Sequence, residues 1–112
     1  MVVCPVDRVS VDRVFHALAD GTRRDILTRT LRDEYSVSAL ARLYPMTFAA
    51  VQKHVAVLET AGLVTKRRSG REQLVAGDVE TVRRAGELID ELEAVWLSRL
   101  DRFADVLEGD EP

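Results

Sequence analysis

The chain has 112 residues, of which 46% are hydrophobic, 31% charged and only 5% aromatic, and its net charge is −3. That balance excludes a disordered chain and a membrane-spanning helix, because no apolar run nears the ~20 residues a bilayer crossing needs. One domain with a largely aliphatic core is what this length supports, and the opening "MVVCPVDRVS" and the single Cys4 suggest neither a signal peptide nor an internal disulfide, so a cytoplasmic protein is expected.

Ser10 is placed to cap a first helix from Val11, where Val11, Val14, Phe15 and Leu18 make an apolar stripe at i, i+3, i+4, i+7 spacing. "ADGT" breaks it, and Asp20 or Thr22 can cap a second helix to about Leu31, with Ile26 and Leu27 inward. "RDEYS" reads as a polar connection. Ser36 can cap a short third helix, "VSALARLY", that Pro45 stops. Thr47 can cap a fourth, over 47–61, whose Phe48, Val51, Val55 and Leu58 fall on one face. Gly62 stands where a helix wants a left-handed C-terminal residue. The period then changes to that of a β-hairpin over 63–76, with a tight turn at Ser69-Gly70.

Asp78 can cap a last helix over 78–108, followed by an acidic tail at 109–112 and matched by an N-terminal arm at 1–9. A helix of that length spans roughly 40–45 Å, whereas a compact domain of this size has a radius of gyration near ~13 Å. It should therefore overhang, carrying Ile89, Leu92, Val95, Trp96, Leu100, Phe103 and Leu107 into solvent unless it bends back onto its own core. An overhanging apolar helix needs a partner, and a second copy in a two-fold dimer is the commonest solution.

The net charge conceals a division. Residues 1–77 carry a net of +4 and residues 78–112 a net of −7. A polyanion can meet the front of the molecule if the acidic helix points away.

A mainly α chain with a small β-hairpin, in the order helix, helix, short helix, turn, helix, basic hairpin and long helix, is the order of a winged helix-turn-helix. A major groove admits one α-helix, whose first turns present side chains to base edges. The stretches "FHALADGTRRDIL", "SVSALARLYPMTFAAVQKHVAVLETAGLV" and "KRRSGREQLV" resemble the ArsR family of bacterial winged-helix repressors, over about residues 11–108. The resemblance implies a homodimeric, sequence-specific regulator that binds double-stranded DNA, with the first and last helices forming the dimer interface: Val11, Val14, Phe15, Ile89, Leu92, Trp96, Leu100 and Phe103. The family more often has proline where this chain has Gly21.

On the fourth helix, Lys53 lies nearly opposite the apolar face and can meet a phosphate or guanine. Gln52, at the shoulder, can bond adenine. Thr47 caps the helix where its N-terminus can approach a phosphate. Ala49 and Ala50 permit close approach, and a methyl can touch thymine. Phe48 has two readings, core by the helical wheel or a DNA contact as the family often makes from this position. His54 also has two, helix packing or, as the resemblance implies, a contact near the DNA backbone. In the wing, Lys66 and Arg68 alternate with Arg67, and Arg71 follows the turn; the plain alternative is a solvated hairpin. Arg23 and Arg24 are expected to be exposed or salt-bridged, or to touch a phosphate.

Many relatives sense metals, but "VSALARLY" has no Cys or His and the last helix has no His, so Cys4, His16 and His54 are the only thiolate and imidazole donors. A metal-independent regulator without cofactors is expected. Catalysis finds no support, since there is no Gly-rich phosphate loop, no nucleophile elbow and no paired carboxylate with an obvious pocket. Two further readings remain open. One is a winged helix used for protein–protein docking through its last helix, although four hairpin cations would serve no purpose there. The other is a small-molecule effector bound between the first and last helices.

Overall fold

The computed structural model describes residues 8–109. Cys4, the arm before Arg8 and the acidic tail after Gly109 lie outside the described residues. The elements run α1 (Arg8–Leu18), α2 (Gly21–Arg32), β1 (Tyr35–Ser36), α3 (Val37–Ala41), α4 (Phe48–Thr60), β2 (Val64–Ser69), β3 (Glu72–Gly77) and α5 (Val79–Gly109). The architecture is a winged helix-turn-helix of five helices with one three-stranded antiparallel sheet in the order β1-β3-β2.

Side-chain oxygens open four of the helices or support their first turn. Asp20 accepts from the Arg23 amide at 3.0 Å, Ser36 from Ala39 at 3.0 Å, Thr47 from Ala50 at 3.0 Å, and Asp78 from Glu80 at 2.9 Å. Each satisfies an amide that the helix itself leaves unpaired. α1 departs from expectation: it begins at Arg8, so Ser10 sits in its first turn rather than ahead of it. Serine is acceptable inside a helix, so its presence alone does not fix a start.

α4 ends in a Schellman arrangement. Leu63 donates to the Leu58 carbonyl and Gly62 to that of Glu59, both at 2.9 Å, with Gly62 at φ 81°. This turn directs the chain into the wing and buries Leu63 and Val64. In the hairpin, Ser69 pairs with Glu72, so Gly70 and Arg71 form the turn, one residue later than expected. Gly70 has φ 62° and Arg71 does not have positive φ, so glycine takes the first central position, as in a type II′ turn. The connection "RDEYS" conceals β1, whose Tyr35 and Ser36 pair with Val75 and Leu74.

The core forms where α2, α3, α4 and the sheet meet. Ile26, Leu40, Val51, Leu58, Leu63 and Val75 are fully buried there, and each such side chain stabilises the fold by roughly 1.5–3 kcal/mol. α5 behaves differently. It is one unbroken helix of 31 residues, about 46 Å long. The molecule extends 75 Å along its longest axis, with a radius of gyration of 19.8 Å. The helix does not fold back: Ile89, Leu92, Trp96, Leu100 and Phe103 are 45–65% exposed. Arg99 stacks over the Trp96 ring at 5.6 Å.

Two glycines give opposite predictions. A Cβ on Gly77 would lie 2.7 Å from Leu31 Cγ and 3.0 Å from the Leu31 backbone nitrogen, whereas a Cβ on Gly86 would meet nothing within 4 Å. Gly77→Ala should destabilise by about 1–3 kcal/mol through overpacking. Gly86→Ala, in an exposed helix interior, should stabilise by about 0.5–1 kcal/mol. Urea unfolding of both variants checks the pair; equal effects would contradict this packing.

Candidate nucleic-acid interface

α4 has two opposite faces. Val51, Val55 and Leu58 are 0–1% exposed and fix the helix to the body. Gln52, Lys53 and Ala49 are exposed on the other side, with Ala50 half-buried between them. Among the described residues, Lys53 and Gln52 make no hydrogen bond or ion pair. Thr47 is exposed with its hydroxyl engaged in the cap.

Phe48 does not join the core. It is 47% exposed, because at the first turn the core-facing stripe has run past the packed body. It lines a groove between α4 and the wing, together with Gln52, Lys66 and Arg71. Ser38 and Gln73 line the same groove. Neither is marked out by the sequence, since a serine on a short helix and a glutamine on a strand carry no local signal.

The wing cations divide as strand alternation requires. Arg67 reaches Glu34 with two bonds, at 2.8 and 2.9 Å, and this guanidinium holds the Glu34 carboxyl below the usual carboxylate range. On the other face, Lys66 pairs with Glu59 at 3.2 Å. Arg68 folds onto the Gly70 carbonyl at 3.4 Å. Among the described residues, Arg71 has no hydrogen-bond or ion-pair partner.

Arg23 and Arg24 perform a structural task. Arg23 donates to the carbonyls of Ala17 at 2.9 Å and His16 at 3.1 Å, and Arg24 to that of Leu18 at 2.8 Å. They complete the C-terminal end of α1, whose last carbonyls have no partner within the helix. The third nitrogen of Arg23 lies 3.2 Å from Nδ1 of His54. His54 is thus half-buried against α2 rather than offered to solvent, and Asp20 lies 3.9 Å from the same ring nitrogen. The Arg23 backbone N–H, the larger cause, holds the Asp20 carboxyl below its ordinary range.

A second knot fastens the turn that leads into α4. Tyr44 donates to Asp25, and Arg29 donates to the same carboxylate oxygen at 2.9 Å. The Tyr44 bond and then the Arg29 bond depress the Asp25 carboxyl, while burial and then Asp25 push the Tyr44 phenol up to about 12.

The residues expected at a dimer interface separate. Val11 and Phe15 are half-buried beside α5, but Val14 is 7% exposed and packs in the chain's own core. It sits on the inward side of α1, so it has little surface to offer a partner. Among the described residues, no group of three His, Cys, Asp or Glu side chains comes together as a metal site. None of the described helices is long and apolar enough to cross a membrane.

No protein-family model matches the chain. The HTH-type transcriptional regulator Rv2034 of Mycobacterium tuberculosis is 36% identical over 104 residues, covering 91% of this chain and 94% of that protein. An ArsR-like transcriptional regulator from Rhodococcus sp. RHA1 is 31% identical and superimposes with a TM-score of 0.78 over 88% of this chain and 92% of that one. The chain belongs to the ArsR family of winged helix-turn-helix transcriptional regulators. The homodimeric winged helix-turn-helix DNA-binding domain of Mb0332 from Mycobacterium bovis matches with a TM-score of 0.59 and 28% identity, over 83% of each chain. Within this winged-helix fold, β2 and β3 form the hairpin that follows α4.

The Tyr44 knot predicts an alkaline effect. The folded pKa is raised, so the phenol's contribution is fully present below the unfolded value, ~10, and is lost as pH rises toward about 12. Tyr44→Phe should abolish that part of the stability loss in urea titrations across this window. If wild type and variant lose stability in parallel, Tyr44 does not carry the effect.

Proposed function

We propose that this ArsR-family chain is a homodimeric, sequence-specific transcriptional repressor that binds an imperfect palindrome in double-stranded DNA and works without a metal. The observation that carries the reading is the outward face of α4, capped and anchored yet with Gln52 and Lys53 unpartnered. Lys53 meets a phosphate or guanine, Gln52 an adenine edge, and Ala49 and Ala50 let the backbone approach a thymine methyl. Thr47 and the helix N-terminus face a phosphate. Phe48, exposed at the groove, packs against sugar or a base edge. Lys66, Arg68 and Arg71 follow the neighbouring backbone. Arg67 contributes less because Glu34 already neutralises it. His54, bonded to Arg23, supports the helix rather than touching phosphate.

The second protomer covers the apolar length of α5, together with Val11 and Phe15. Two recognition helices then enter successive major grooves ~34 Å apart. The strongly acidic α5 is directed away from the DNA. This assignment is preferred to protein docking because the wing and α4 present free cations that a docking module does not need. A recess of about 180 Å³ between α1 and α5, lined by Val11, Phe15, Thr81, Arg84 and Leu88 among others, supplies a place for a small effector. Metal independence rests on the donor set: His54 is committed to Arg23, which leaves His16 and Cys4.

Fluorescence anisotropy on a labelled duplex tests the site. Lys53→Ala and Arg71→Ala should each weaken binding and reduce the salt slope by about one. Arg67→Ala should do less than Arg71→Ala. Unchanged affinity and slope in all three would remove α4 and the wing as the DNA face.

A further inference from the structure

The arrangement around His54 carries a consequence beyond packing. Arg23 can only donate, so a guanidinium nitrogen 3.2 Å from Nδ1 requires Nδ1 to be the acceptor and the ring proton to sit on Nε2. Every nitrogen of that guanidinium is committed: Nε and Nη2 hold the end of α1 at the Ala17 and His16 carbonyls, and Nη1 holds His54 on α4. One side chain from the first turn of α2 therefore joins α1, α2 and the recognition helix.

We infer that His54 is a positioning residue that keeps α4 in its DNA-reading orientation only while its imidazole is neutral, so that protonation weakens DNA binding. The inference rests on the DNA reading given above. A proton on Nδ1 would set a donor against a donor and a cation against a cation, and the Arg23 contact would be lost. The charged and titratable groups facing the ring are Asp20, the cap ahead of α2, and Arg23 in its first turn. α1 contributes the carbonyls that Arg23 binds, while the His16 side chain is exposed toward Val57 and Thr60. Lys53, on His54's own helix, faces solvent. The acceptor left for a protonated ring is Asp20, 3.9 Å away and already receiving the Arg23 amide as the α2 cap. Turning to it gives up the Arg23 bond that ties α4 to the end of α1. A histidine that touched phosphate directly would behave in the opposite sense, binding DNA more tightly when charged.

The sign of the pH effect is the test. Wild type and His54→Gln, full chain, are titrated at fixed salt against one duplex recovered from a random pool by binding at about pH 8. Glutamine can accept from Arg23 at any pH and cannot take the proton. Wild type should lose about fivefold or more in affinity between about pH 8 and about pH 5.5, the loss of one hydrogen bond to a charged group. His54→Gln should bind within about twofold of wild type at the higher pH and change by less than about twofold across the range. Parallel profiles, or wild type tightening on acidification while the variant stays flat, would overturn the inference. Failure of both proteins to bind any duplex counts against the DNA reading instead. In that case, or if the variant does not fold, ring-nitrogen NMR of the wild-type protein decides: the Nε2–H tautomer is expected, and a protonated Nδ1 in the neutral ring overturns it.

Discussion

The proposed nucleic-acid face depends on one constraint, that α4 be held firmly by one side while its other side stays bare. Val51, Val55 and Leu58 meet the first half of it by complete burial. Burial alone does not fix rotation about the helix axis, because aliphatic contacts are non-directional. Directional bonds supply the rest. Thr47 closes the start of the helix, the Schellman turn at Gly62 closes its end, and Arg23 ties its middle to α1 and α2 through His54. The Tyr44–Asp25–Arg29 knot fastens the turn just before it. With these in place, Lys53 and Gln52 project from a rigid support, and an outward side chain of this kind can discriminate bases.

The distribution of charge follows the same division of labour. Arg23, Arg24 and Arg29 bond carbonyls or a carboxylate within the body. Arg67 is matched to Glu34, which stiffens the hairpin against the segment before β1, and Lys66 is shared with Glu59. What remains unpartnered at the proposed interface among the described residues, Lys53 and Arg71, is a small subset of the chain's cations. Counting basic residues would overstate the binding surface, and the overall charge of −3 would understate it. The long acidic α5 accounts for that total and lies on a separate arm of the molecule.

Much of the fold was legible because its signals are local. Asp20, Ser36, Thr47 and Asp78 announce helix starts within three residues of the amides they satisfy, and the change of period after Gly62 marks the wing. The overhang of α5 followed from helix length alone. The features that escaped have long-range or weak causes. β1 is two residues held by backbone pairing to β3, which leaves no periodic trace. The Arg67–Glu34 bond joins residues 33 apart and the Arg23–His54 contact residues 31 apart; no composition or spacing rule connects them. Phe48 defeated the helical wheel because a wheel is indifferent to where the packed body ends. Ser10 looked like a cap because a helix start and a tolerated first-turn serine read alike. Within the candidate site, residue types and helix faces could be read, but which cations are already occupied could not.

The central claim is that two copies of α4, fixed in this way, read two related half-sites. Selection of bound duplexes from a random DNA pool by the purified full chain tests it most directly. An imperfect inverted repeat should be enriched, with half-sites centred about one helical turn, roughly 10 base pairs, apart. Recovery of a single unrepeated half-site would contradict the paired arrangement, and failure to enrich any sequence would contradict the reading of α4 itself.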